Sequence, residues 1–267
     1  MSRITLGWFN LTQKPDQDLC LKIPICEVYS GIIDRAFPDL DHIGWRDDTK
    51  GTCYTFIKNI DDDERERLRH FLELLQIILC LTVTEHLAPH FATELDEAYA
   101  LDFNFKQDTF PLAYTEIGSL EHLAKEEQNR DAINDLAKRL ADVISRHPTL
   151  SRVEVIAPIP PRPSKQFHLP VEVVNEISKL LNREVGLRLT KDEHPKLRGL
   201  AMADKLAALN GVFHLNESVD GKTVLLIDDL YQSGTSAWAL AKFLKENGAR
   251  EVYALACVKS WRDTDNQ

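Results

Sequence analysis

The chain has little of what marks a secreted, membrane-spanning or nucleotide-hydrolysing protein. Its 267 residues include five cysteines, Cys20, Cys26, Cys53, Cys80 and Cys257, and no Cys-x-x-Cys pair. An odd number at irregular spacing argues against a disulfide framework. No charged-then-apolar leader precedes a cleavage site, because the stretch 4–11 is short and interrupted by Gly7 and Asn10. A reducing cytoplasm is the expected compartment. Residues 74–84 carry no charge, but they fall well short of the ~20 apolar residues that cross a bilayer. They read as part of a buried core helix or a dimerisation helix, with no membrane role. The chain has neither a Gly-x-x-x-x-Gly-Lys-Ser/Thr loop nor a Gly-x-Gly-x-x-Gly turn, which speaks against P-loop hydrolysis and Rossmann hydride transfer. Internal repeats and low-complexity tracts are also missing.

Positive charge is scarce in the first part of the chain. Residues 1–110 hold 11 Lys/Arg against 20 Asp/Glu, and residues 111–267 hold 21 against 22, for a net charge of −10. An acidic N-terminal module disfavours broad nucleic-acid binding, which needs phosphate neutralisation. Its acidic run reads as a solvated face, with a protein-partner surface as the alternative.

What is present has the rhythm of an α/β protein. Ile133, Leu136, Ala137, Leu140, Val143 and Ile144 follow helical spacing. A strand over 153–156 follows, then a helix marked by Val171, Val174, Ile177, Leu180 and Leu181. An edge strand over 185–189, a helix over 200–209 and a strand over 212–215 come next. A strand over 223–227, a helix over 235–246 and a strand over 252–258 close the unit. Gly248 is placed to terminate that helix. Residues 1–110 are expected to form a separate α+β module. Strands are expected over 5–11, 27–30 and 52–57, with a helix from Asp61 to about Leu87. Residues 111–267 are expected to form the second domain.

The chemistry concentrates at 224–236, Val-Leu-Leu-Ile-Asp-Asp-Leu-Tyr-Gln-Ser-Gly-Thr-Ser. Val224 to Ile227 read as a strand covered on both faces. Asp228 and Asp229 stand at its carboxyl end, where open α/β sheets bind ligands. Ionised carboxylates accept hydrogen bonds only, and a ribose diol donates two. Ser233, Gly234, Thr235 and Ser236 then open a helix whose free N–H groups favour an anion. Gly234 lets backbone approach a phosphate closely. Either half alone has another reading: Asp-Asp after an apolar strand also occurs in metal-dependent phosphate enzymes and signalling receivers, and Ser-Gly-Thr-Ser before a helix also serves as a plain N-cap. Together they read as a site for a ribose 5-phosphate group.

Upstream, the strand over 153–156 runs into Ala157-Pro158-Ile159-Pro160-Pro161-Arg162-Pro163-Ser164-Lys165. Prolines make this a stiff turn, and Arg162 or Lys165 suits a diphosphate held there. The plain alternative is a solvated surface turn. Lys196 and Arg198 form a second cationic loop that would close over a diphosphate and exclude water, or would stay solvated. His194 in that loop reads as exposed rather than as a proton shuttle. Cys80, His86 and His90 offer zinc-type side chains, but Pro89 interrupts the helix that would carry them. Trp261, after the last strand, reads as packing or as a platform for a base.

At 224–236 the chain resembles the type I phosphoribosyltransferases, whose signature is an apolar strand, two acidic residues, a short spacer and Thr/Ser-Gly-x-Thr/Ser. Pro158-Ile159-Pro160-Pro161-Arg162 and the stretch 197–213 are similar to the ComF-type, competence-associated branch. Leu197 stands where that branch has glutamine, and Lys205 where it usually has arginine. The four-cysteine zinc element common at its N-terminus is missing here. The resemblance covers roughly residues 112–262 and implies an open parallel-sheet fold. It implies that Asp228 and Asp229 hold the ribose of phosphoribosyl pyrophosphate and that Gln232, Ser233, Gly234, Thr235 and Ser236 hold its 5-phosphate. Arg162, Pro160, Lys165, Arg198 and Lys205 would face the diphosphate, with Mg²⁺ carried on it rather than by protein ligands. The activity implied is pentosyl transfer to a nitrogenous nucleophile with release of diphosphate. A non-catalytic sensor, or an effector in a nucleic-acid-related or defence-type system, is the alternative. A homodimer, or a protein partner held through residues 1–110, would fit either role.

Overall fold

A computed structural model describes residues 5–15, 17–48, 51–107, 109–183, 187–197 and 199–261. The chain forms two compact units, residues 1–80 with 143–152, and residues 81–142 with 153–267.

The first unit is α+β. Strands β1 (Asn10–Thr12), β2 (Leu19–Pro24), β3 (Arg46–Asp47) and β4 (Thr52–Ile57) form an antiparallel sheet in the order β1-β2-β4-β3. Helices α1 (Cys26–Ala36) and α2 (Asp62–Ile77) accompany them. Strand β2 alternates fully buried Leu21 and Ile23 with more open neighbours, the period of a sheet covered on one face. Asp61 caps α2, its carboxylate accepting from the Glu64 N–H at 2.7 Å. Residues 27–30, expected as a strand, lie inside α1, where Tyr29, Ile33 and Ala36 supply a buried helical stripe. Of the strand expected over 5–11, only its end joins β1. Helix α2 stops at Ile77, ten residues before Leu87, and β5 (Leu79–Leu81) follows. The uncharged run is therefore shared by a helix end and a strand.

Cys26 and Cys53 are joined in a disulfide, contrary to the expectation from spacing. The register of β2 and β4 pairs Ile23 with Cys53, and the chain then turns through Ile25 at φ 50°. That turn brings Cys26 back beside its partner, with Cα atoms 4.9 Å apart across 27 residues of sequence.

The second unit is α/β. Its strands are β6 (Glu97–Phe103), β7 (Val155–Pro158), β10 (Thr223–Tyr231) and β11 (Glu251–Lys259), parallel in the order β6-β11-β10-β7. Its helices are α3 (Glu116–Glu126), α4 (Arg130–Arg146, of which residues 143–146 count with the first unit), α5 (Leu169–Leu181), α6 (Met202–Leu209) and α7 (Thr235–Glu246). A short antiparallel pair, β8 (Leu189–Lys191) and β9 (Phe213–Leu215), stands apart from the main sheet. The edge strand expected over 185–189 starts at Leu189, and residues 184–186 lie outside the described residues. Val224, Leu225, Leu226 and Ile227 are fully buried, as a strand covered on both faces requires.

The division expected at residue 110 differs from these units. Strand β6 pairs with β11 from Glu97–Tyr253 to Phe103–Lys259 and is buried at all but one position. Glu97 and Asp102 disguise it in the sequence. The charge moves with the boundary. The first unit holds 12 Lys/Arg against 14 Asp/Glu, while residues 81–110 alone hold 1 against 6. The acidic excess thus belongs to the α/β unit. Among the described residues, no helix is long and apolar enough to cross a membrane.

Candidate functional site

The site lies where β10 outruns its neighbour. Strand β7 ends at Pro158, paired with Ile227, and the Ile159 N–H closes onto the Ile227 carbonyl at 2.9 Å. Beyond that point β10 pairs with β11 alone, through Leu230 with Val258 and Tyr231 with Lys259. The sequence suggested that the strand ends at Ile227, but it continues to Tyr231. Both aspartates are strand residues, so the alternation of a strand turns them to opposite sides.

Asp228 lines a cavity of about 140 Å³ shared with Leu197, Lys205 and residues 230–237. Its Oδ1 accepts from the Asp229 N–H at 2.9 Å. Burial, together with the adjacent Asp229 charge, pushes its carboxyl above the usual carboxylate range. Asp229 is not part of that wall. Its Oδ2 meets the Lys125 ammonium at 2.9 Å, and Lys125 also reaches Glu121 at 3.2 Å. Burial alone would raise the Asp229 carboxyl, but the Lys125 ammonium outweighs it and holds the group low. Burial and the Asp229 charge meanwhile raise Glu121 despite Lys125. One carboxyl of the pair is therefore biased towards its neutral form and the other towards its ionised form.

Helix α3 holds Lys125 in place. Thr115 caps it, donating to the Phe103 carbonyl and accepting from the Gly118 N–H at 2.9 Å. Gly118 lies directly on the Asn104 backbone, where any Cβ would collide with the Asn104 carbonyl. Lys125 and Glu121 escaped the sequence reading. They stand about a hundred residues upstream of Asp229, with ordinary helical i, i+4 spacing as their only signal.

The turn after β10 is built for close approach. Gly234 has φ 82°, and a Cβ there would strike the Tyr231 ring and hydroxyl. The Tyr231 hydroxyl accepts from the Trp238 indole at 3.1 Å. Lys259 props the turn from below, donating to the Gln232 carbonyl at 2.8 Å. Ser233 Oγ and Thr235 Oγ1 lie 2.9 Å apart, so the two hydroxyls share one bond. Gly234 has no side chain to cap α7, leaving that helix N-terminus open to an acceptor. Gln232, Ser233, Gly234, Thr235 and Ser236 all line the cavity, with Asp228 on its wall. Lys205, on α6, lines it too and is only 1% exposed.

The remaining expected residues are placed elsewhere. Arg162 pairs with Glu193 at 3.5 Å, and Ser164 binds the same carboxylate through N–H and hydroxyl at 3.0 Å each. Pro160 is buried and Lys165 exposed, and neither lines the cavity. Trp261 donates its N–H to the Asn104 side chain, and its ring meets Phe103 edge-on at 5.8 Å. Arg198 lies outside the described residues. Lys196 is exposed. His194 is buried, not exposed, with its Nδ1 2.7 Å from the Pro195 carbonyl. His168 was missed by the sequence reading. Burial and Lys165 push its ring down to about 4, and its buried Nδ1 has no hydrogen-bond partner among the described residues. His86 and His90 lie in turns after β5, not on a helix. The one group of three metal-capable side chains among the described residues is Cys26, Asp47 and Cys53, whose two thiols are bonded to each other.

No protein-family profile matches the chain. It is 33% identical over 96 residues to a ribose-phosphate pyrophosphokinase of Nostoc sp., covering 35% of this chain and 28% of that protein. The chain thus spans little more than a quarter of that relative's length. It is similar to a hypoxanthine phosphoribosyltransferase structure from Staphylococcus aureus, with a TM-score of 0.35, 12% identity, and coverage of 52% of this chain and 68% of the other. It is also similar to an orotate phosphoribosyltransferase from Francisella tularensis, with a TM-score of 0.33, 16% identity, and coverage of 56% and 73%.

Proposed function

We propose that the α/β unit binds phosphoribosyl pyrophosphate and transfers its ribose 5-phosphate group to a nitrogenous nucleophile, releasing diphosphate. One observation carries the reading. Asp228, on the part of β10 that outruns β7, and a contiguous turn of N–H and hydroxyl donors line the same small cavity. The volume suits one phosphate group with the edge of its sugar. In this reading the turn at 232–236 holds the 5-phosphate and Asp228 faces the ribose hydroxyls. Lys205, on the same cavity, offsets phosphate charge. Asp229 acts from behind, kept ionised by Lys125. The Arg162, Pro160 and Lys165 turn, pinned by Glu193, together with Arg198, would serve the diphosphate, and Trp261 the nucleophile.

Magnesium fits this donor set. It would be carried on the substrate's diphosphate, because a hard cation takes phosphate oxygens and water as ligands, and among the described residues no group of three metal-capable side chains lines this cavity. When bound it would neutralise the departing diphosphate.

A ComF-type role in a cytoplasmic nucleotide pathway belongs to the same proposal, as do a homodimer and a partner-binding role for residues 1–110. A sensor that binds without turnover is the second reading. The Lys125–Asp229 ion pair favours it, because it occupies a carboxylate that a ribose diol would need. Calorimetry with phosphoribosyl pyrophosphate and Mg²⁺, followed by diphosphate release across a panel of bases, separates the two. Binding that survives Asp228→Asn/Asp229→Asn in a folded chain would sink both.

A further inference from the structure

We propose that the first unit carries a separate anion site, a groove for a small polyphosphate lined by Arg67, His70, Arg146 and Arg152. The inference is independent of the phosphoribosyl reading.

Arg67 and His70 are three apart on α2, so they share a face. Arg146 closes α4, and Arg152 ends the turn that follows. That turn is folded around His147. The ring is buried with its edge against Phe71 at 4.8 Å, and its Nδ1 accepts from the N–H groups of Thr149 and Leu150 at 3.3 Å each. Ser145, Pro148 and Ser151 complete the lining of a cavity of about 610 Å³. Ligand pockets generally span ~300–1,000 Å³, so this one exceeds the needs of a single phosphate.

The guanidinium groups of Arg152 and Arg67 are anchored before any ligand arrives. Arg152 donates to the Ala36 carbonyl at 3.2 Å, and Arg67 stands over the Phe37 ring at 5.9 Å. An anchored guanidinium loses less freedom on binding and presents a fork that matches phosphate oxygens. Among the described residues, no carboxylate lines the groove. Of the acids of α2, Glu66 and Glu73 are both engaged by Arg69 at 2.5 Å, and Asp63 stands one turn before Arg67. Glu66 also approaches His70, at 3.8 Å.

The concentration of three arginines runs against the composition of a chain with net charge −10. That net charge disfavours a polynucleotide, which recruits an extended basic surface. The lining holds no aromatic residue besides His70, so the groove has no stacking platform for a base and would recognise the phosphate chain itself. Inorganic polyphosphate and the tail of a nucleoside triphosphate share that chemistry.

Calorimetry on the full chain with inorganic tripolyphosphate, and in parallel with adenosine triphosphate, tests the site. The Gly234→Val chain keeps the groove while spoiling the turn after β10. It is expected to retain saturable tripolyphosphate binding, and Arg67→Glu is expected to weaken that binding at least ~10-fold. If Arg67→Glu fails to melt cooperatively, Arg146→Glu takes its place. Shifts of the His70 ring signals in the unsubstituted chain on adding tripolyphosphate need no variant at all. Equal affinity for the two probes assigns the phosphate chain as the ligand, and a clear preference for adenosine triphosphate assigns a nucleotide in the same groove. Unmoved His70 signals overturn the proposal. So does affinity within twofold after charge reversal, or binding that vanishes in Gly234→Val. Tighter binding of an RNA oligomer at physiological salt would assign the groove to polynucleotide instead.

Discussion

Two regions of this molecule suit phosphate and are made in opposite ways. The turn at 233–236 uses main-chain N–H groups and small hydroxyls, contiguous in sequence, around a narrow cavity of about 140 Å³. The groove on the first unit uses long side chains that start 85 residues apart, at Arg67 and Arg152, around a cavity of about 610 Å³. The first would fix one phosphate by shape. The second gathers charge with little shape. Only the first leaves a mark that can be read along the chain.

The largest expected effect breaks the turn alone. Gly234→Val forces a branched residue to φ 82° beside the Tyr231 ring. The left-handed backbone by itself costs about 1–2 kcal/mol, and the collision adds to it. Loss of phosphoribosyl pyrophosphate affinity by ~100-fold or more is expected by calorimetry.

Lys125→Met asks whether the side-chain part of the first site behaves like the groove. Removing the ammonium leaves Glu121 and Asp229 facing each other. Breaking a buried pair costs ~3–5 kcal/mol, and here about 2–3 kcal/mol is expected because the ammonium is a quarter exposed. Urea unfolding at pH 7 measures it. Asp229 has a depressed folded pKa, so its share of stability is present above the usual carboxylate range and lost as pH falls through the folded value. The Lys125→Met chain should therefore lose less stability on acidification than the unsubstituted one.

Acid also tests the groove. Burial, with Arg152 nearby, pulls the His147 ring from 6.5 down to about 3. The unfolded chain then binds a proton that the folded chain refuses, so stability falls as pH drops from 6.5 towards 3. Near pH 5 the loss is about 2 kcal/mol. Melting curves from pH 7 to 5 should show it, and His147→Gln should flatten the slope.

A smaller effect comes from Asp228. Its carboxyl is raised in the folded state, so folding grows less favourable as pH rises from the usual carboxylate range through the folded value. Asp228→Asn should raise the ligand-free melting temperature at pH 7, a gain of about 1 kcal/mol, while weakening ligand binding. A lower melting temperature would mean that Asp228 stabilises the empty protein.

Legibility followed contiguity. Strand β10, its turn and α7 occupy one stretch of sequence, and the four buried residues 224–227 were readable from their run alone. The end of β10 was misplaced because Asp228 and Asp229 look like a strand terminus, whereas pairing with β11 carries the strand on to Tyr231. Lys125 and Glu121 reach the site only through the fold, and nothing local distinguishes them from surface charges. The same holds for Cys26 and Cys53, which only the register of β2 with β4 brings together. The boundary near residue 80 was hidden because a strand with acids at Glu97 and Asp102 does not look like a buried strand of a sheet.

Gly118 makes the consequence of such remote assembly concrete. It never meets the ligand cavity, yet it is the shim that sets the height of α3 above the Asn104 main chain. A single added methyl group would lift the helix and carry the Lys125 ammonium off its carboxylate. A harmless-looking Gly118→Ala would then act as a lesion of the Asp229 ion pair, inflicted from outside it.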